Sequence, residues 1–141
     1  MLNAWLAAAA LALIGFAAVP AEPVAFKTLA TGEQGLEKRR EAVVRTAAEW
    51  TSLWKELGSS EPRPPVDFAR STVLGVFLGS RPTVGYSVKI DTIERQGAEL
   101  VVTYRERKPA PTDMVAQMLT APYVLVTIEK FDGRVRFVRA P

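Results

Sequence analysis

The sequence predicts a mainly β domain, α+β at most: an antiparallel β-sandwich or a curled sheet with one amphipathic helix packed against it, across one end. Three observations predict it. Short stretches that alternate in polarity, the mark of half-buried strands, recur from residue 24 to residue 139. Gly- and Pro-bearing turns separate them at short spacing, which favours hairpins and antiparallel pairing. Only residues 46–57 show strong helical periodicity.

Residues 1–21 contain no charged side chain, and 4–19 are almost wholly apolar. Val19, Pro20 and Ala21 end the run on a small residue, so 1–21 is expected to be a signal peptide and 22–141 a single domain. The n-region departs from the pattern in lacking Lys and Arg. The alternative is an uncleaved anchor, although the run is shorter than the roughly 20 apolar residues of a spanning helix.

Residues 24–29 alternate and form the expected first strand. Residues 37–41, Glu-Lys-Arg-Arg-Glu, are basic but flanked by acids, which favours a solvated surface over a partner site. A short strand is expected at 42–45. Thr46 is placed as a helix N-cap with Glu49 at capping-box spacing. Trp50, Leu53, Trp54 and Leu57 then define one apolar face, and Gly58 ends the helix. The two tryptophans read as the anchor of a lone helix on a sheet rather than as a ligand platform.

Residues 68–90 hold two apolar runs. The first, 73–78, is nearly continuous and predicts a buried strand; in the second, Tyr86, Val88 and Ile90 face one way and Ser87, Lys89 and Asp91 the other. Between them Gly79, Ser80, Arg81, Pro82, Thr83, Val84 and Gly85 predict a stiff loop. Glycine permits backbone angles that other residues avoid, and proline fixes one dihedral. The plain reading is a shaped hairpin connection; the functional one is a rigid loop recognised by another protein.

Gln96 and Gly97 mark a turn, and 100–105 alternate as a further strand that the prolines at 109 and 111 end. Residues 112–120 support two readings. One is a short turn capped by Asp113 with Met114, Val115, Met118 and Leu119 facing inward; the other is a crossover loop. Residues 123–129 predict a β-rich strand, Asp132 and Gly133 a hairpin turn, and 135–139 the returning strand.

Composition excludes much chemistry. The 141 residues contain no His and no Cys. Ser-His-Asp and Cys-His nucleophiles, His-based metal sites, thiolate zinc and disulfides are therefore absent from the chain. Asp91 and Glu94 sit three apart and are not placed on one face, so no carboxylate dyad is expected. Ser87 and Lys89 share a strand face, which alternation alone explains. No phosphate-cradling Gly-rich loop opens a helix. The expectation is no enzyme, no catalytic residue, no cofactor and no metal. A net charge of +3 with interspersed signs gives no basic stripe for nucleic acid.

The stretch from 73 to 90, the 100–104 strand with its Pro-bearing end, and Leu119, Thr120, Ala121, Pro122 and Tyr123 leading into 124–126 resemble the C-terminal domain family of the protease complex subunit PrcB. The resemblance covers about residues 66–130. Val84 stands where that family commonly has a second glycine. The likeness implies an exported, non-catalytic, periplasmic or envelope-associated accessory domain whose partner is another protein, an exported protease among the candidates. No membrane span is expected once the leader is cleaved, and the oligomeric state stays open.

Separately, Pro82, Thr83, Val84, Gly85 and Tyr86 are similar to the wedge loop of chagasin-like cysteine protease inhibitors. That likeness would place Thr83 and Gly85 at a protease contact. The expected partner-binding residues are Ser80, Arg81, Pro82, Thr83, Gly85 and Tyr86. An N-terminally anchored structural envelope protein is the third reading.

Overall fold

The computed structural model describes residues 20–141, so all but the last two residues of the expected leader lie outside the described residues. The continuous apolar run forms β4 (Ser71–Phe77), and its burial explains why it does not alternate. Leu74 and Val76 face a core between two sheets, while Val73 and Phe77 face a second core beneath the helix. A strand covered on both faces has no polar side to display.

The other elements are β1 (Glu22–Pro23), β2 (Phe26–Gly32), β3 (Arg40–Val44), α1 (Ala47–Leu57), β5 (Ser87–Gln96), β6 (Glu99–Arg107), β7 (Tyr123–Glu129) and β8 (Arg134–Arg139). One sheet has the order β1-β5-β6-β8 and the other β2-β7-β4-β3. Their facing sides pack Val88, Ile90, Ile93, Leu100, Val102 and Tyr104 against Leu74, Val76, Val124, Val126 and Ile128. All pairings are antiparallel except β6 with β8, which is parallel.

The helix forms as its signals predict. Thr46 Oγ1 accepts the Glu49 N–H (3.2 Å), and Gly58 caps the C-terminus with φ 65°. The reciprocal half of the capping box is shifted by one residue, because the Glu49 carboxylate accepts the Arg45 N–H (3.3 Å). The helix lies on the outer face of the β2-β7-β4-β3 sheet rather than across one end. Trp50, Leu53 and Leu57 pack over Val73, Phe77 and Leu125. The indole N–H groups of Trp50 and Trp54 donate to the carbonyls of Pro64 (3.0 Å) and Glu61 (3.2 Å), which folds the Pro-rich connection back on the helix.

Two expected hairpins are crossovers. The strands flanking 78–86 are in different sheets, and so are those flanking Asp132 and Gly133. At the second site Phe131 is buried, and its N–H donates to Thr72 Oγ1 (3.0 Å) while Arg45 donates to its carbonyl (3.2 Å). That plug carries the chain across the sandwich instead of back along the same sheet. The Gln96–Gly97 turn is a true hairpin between β5 and β6, with Gly97 at φ 64°.

Candidate functional site

Three connections meet at one end of the sandwich: 33–39 after β2, 78–86 after β4 and 108–122 after β6. Their backbones bind one another. Arg81 and Thr120 exchange two hydrogen bonds (2.7 and 3.0 Å), Ser80 N–H donates to Glu37 O (2.9 Å), and Ala121 N–H donates to Glu33 O (2.7 Å). The Thr120 hydroxyl donates to Thr83 O (2.9 Å), and the Val84 N–H reaches Ala116 O (3.3 Å). Loops of this length would otherwise lose much conformational entropy on ordering; here each is held by its neighbours.

A buried carboxylate locks the arrangement. Glu106 continues the inward parity of Leu100, Val102 and Tyr104 along β6, so its side chain turns into the end of the sandwich and is 2 % exposed. Arg81 Nε donates to one carboxylate oxygen (2.7 Å) and Arg139 Nη2 to the other (2.6 Å). Arg81 Nη1 also donates to the carbonyls of Leu78 (3.0 Å) and Ser80 (3.1 Å), and its guanidinium lies 5.9 Å from the centre of the Tyr86 ring. Burial pushes the Glu106 carboxyl up, but the Arg81 hydrogen bond and the charges of Arg81, Arg139 and Lys108 outweigh it and hold the carboxyl below its ordinary value.

The six sequence-selected residues therefore divide. Arg81 is consumed internally. The Thr83 hydroxyl donates to Val84 O (2.9 Å), and its carbonyl accepts from Thr120, so its hydroxyl and its carbonyl are both engaged. Gly85 adopts φ 98° with its Cα against Pro109, where an added Cβ would stand 3.0 Å from the proline Cβ. Tyr86 is half-buried beside Arg81. Ser80 and Pro82 are exposed and point their surface outward.

Of the two readings of 112–120, the crossover loop is the one that forms. Residues 112–120 form no helix, and Met114, Met118 and Leu119 are exposed at 102 %, 52 % and 72 % rather than facing inward. They share the end of the fold with Pro82. Among the described residues they are the exposed large hydrophobics. Glu106 was also missed, although its parity with Tyr104 was a usable signal.

Nothing here assembles a reaction centre from the acids considered earlier. Ser87 and Lys89 are both exposed, and Asp91 pairs with Arg105 (3.1 Å). Among the described residues no group of three or more His, Cys, Asp or Glu side chains could hold a metal ion, and no helix is long and apolar enough to cross a membrane.

Comparison with known proteins gave no match among curated proteins and none among solved structures. One family model, described as PrcB C-terminal, matches from the second residue of β4 to the end of β7. That span includes the 78–86 and 108–122 connections and Glu106 but neither α1 nor β8 nor the crossover at Asp132 and Gly133. The resemblance seen in the Arg-Pro-Thr loop and the later Pro-Tyr pair is thus borne out: residues 72–129 match the PrcB C-terminal family model.

Proposed function

We propose that this protein is an exported, non-catalytic accessory module that binds another protein through the end of the sandwich built by 78–86 and 108–122. The observation that carries the proposal is the apolar set Pro82, Met114, Met118 and Leu119, exposed on loops whose backbones are tied together. Exposed large apolar groups clustered on a rigid support favour recognition over mere solvation. The family of residues 72–129 favours a protease complex as the setting. The contact surface is Ser80, Pro82 and the methionine segment, with Arg81, Thr83, Gly85 and Tyr86 shaping it from behind. The chagasin-like reading uses the same end of the molecule but needs Thr83 free, and Thr83 is engaged with Val84 and Thr120.

The test is affinity capture from envelope extract with the 22–141 domain and with a Met114→Ser, Met118→Ser, Leu119→Ser variant. Capture of a protein lost in the variant supports the proposal, and an identified protease supports its setting. Equal capture by both baits, or by neither, overturns it.

A further inference from the structure

β5 is bare along half of its outer edge. β1 pairs only with Glu94 and Arg95, and one further bond joins Val24 N–H to Ile93 O (2.8 Å). β1 then leaves for the other sheet, so along 87–92 no strand continues the ladder. Alternate residues there turn backbone N–H and C=O groups outward. Beside this edge the two sheets part, leaving a groove of ≈ 250 Å³ whose apolar lining includes Phe26, Val88, Ile90, Val124 and Val126. Both edges carry one irregularity, between Thr28 and Ala30 on β2 and between Ile90 and Thr92 on β5, so the regular part of the open β5 edge is 87–90.

Three cations without an ion pair among the described residues lie around the open edge. Lys89 sits at the groove, and Arg107 and Lys108 line the adjoining cavity with Tyr86 and Ser87. None of these three cations has an ion pair among the described residues, whereas the nearby Arg105 has Asp91. The acids in that cavity are Glu33 and Asp113, and Asp113 already accepts the Ala110 N–H (2.8 Å).

We infer that the 87–92 edge of β5 accepts an extended acidic segment of a partner protein as an added strand, its alternate apolar side chains entering the groove and its carboxylates meeting Lys89, Arg107 and Lys108. Main-chain bonds supply affinity in such additions and alternate pockets supply specificity. A second copy of this chain is disfavoured as the occupant, because edge-to-edge pairing would set Lys89 and its neighbouring cations against their own kind. The inference goes beyond the loop-mediated contact and does not depend on it.

The probe is a fluorescent peptide of about eight residues alternating valine and glutamate, long enough to cover the bare edge at strand spacing. Its counterpart carries lysine for glutamate. Both are titrated against the full chain by anisotropy, and backbone amide exchange is followed at 87–92. Expected are saturable binding of the acidic peptide only, slowed exchange on β5, and affinity lowered about tenfold, or roughly 1.4 kcal/mol, by the exposed-site variants Lys89→Glu or Lys108→Glu. Binding unchanged in Met118→Ser separates this edge from the loop surface. The inference is overturned by equal binding of both peptides, by no binding, by protection mapped to 78–86 or 108–122, or by a concentration-dependent dimer that occupies the edge. Failure of the affinity capture with peptide binding intact would remove the loop proposal and leave this one standing.

Discussion

The two sheets differ in how they are covered. The β2-β7-β4-β3 sheet is apolar on both faces: the other sheet covers one, and α1 with the Pro-rich 59–66 connection covers the other. The β1-β5-β6-β8 sheet is apolar on its inner face and carries Lys89, Thr103, Arg105, Arg134 and Arg136 on the outside. One sheet is thus the middle layer of three and the other an outer wall. Stability should concentrate in the first, and the second, with its open edge, is where a partner can be added at little cost to the core.

The sharpest way to test that division is to strip the helix side. Trp50 is 2 % exposed, and its indole N–H satisfies the Pro64 carbonyl. Trp50→Ala should cost about 3–5 kcal/mol by urea denaturation, since a large buried ring leaves a cavity and an orphaned carbonyl. The matching change on the outer wall, Thr103→Ala, should fall within about 0.5 kcal/mol. Equal losses would mean that the two sheets are not unequally loaded.

The next effect is at the seam. Glu106→Gln leaves Arg81 and Arg139 without their shared carboxylate. The expected loss is about 2 kcal/mol, below that of a fully buried pair because Arg139 is 43 % exposed and can turn to water. The pH dependence has a definite sign. The folded carboxyl lies below its ordinary value, so its contribution is complete above about pH 4.3, the unfolded value, and is lost as pH falls through the folded one. The Gln variant should therefore show a shallower acid limb in its stability profile. An identical acid limb would remove Glu106 as the lock.

Gly85 tests the same seam without charge. At φ 98°, and with Pro109 in the path of a Cβ, Gly85→Ala should cost about 1–3 kcal/mol. The change should also loosen the loop, seen as faster amide exchange at 80–86. Unchanged stability would show that the crossover tolerates another backbone path.

These seams mark where the sequence stopped being informative. Elements specified within one turn of chain were legible: the Thr46 cap, the Trp50 face and the Gly97 hairpin all form where their residues predict. A turn signal, however, does not say which sheet the chain returns to. Gly79 to Gly85 and Asp132-Gly133 both carry hairpin chemistry, yet distant partners send the chain across the sandwich: Thr120 for one, Thr72 and Arg45 for the other. The same limit explains the methionines. Their helical spacing is real, but prolines at 109 and 111 and bonds to Arg81 and Val84 hold the segment extended. Of the candidate loop, position and stiffness were legible; which side chains face outward depended on Glu106, which lies outside the loop.

The smallest stability effect should accompany the largest functional one. Met118→Ser removes a side chain that is half-exposed and contributes to neither core. Its stability should stay within about 0.5 kcal/mol of the parent, and the acid limb set by Glu106 should not move. Partner capture should nonetheless fall, because desolvated apolar anchors dominate interface energetics. A variant that lost stability and capture together would place Met118 in the fold rather than at a contact. Loss of capture alone assigns the apolar cost of the exposed segment to binding, leaving the doubly covered sheet as the part that keeps the molecule folded.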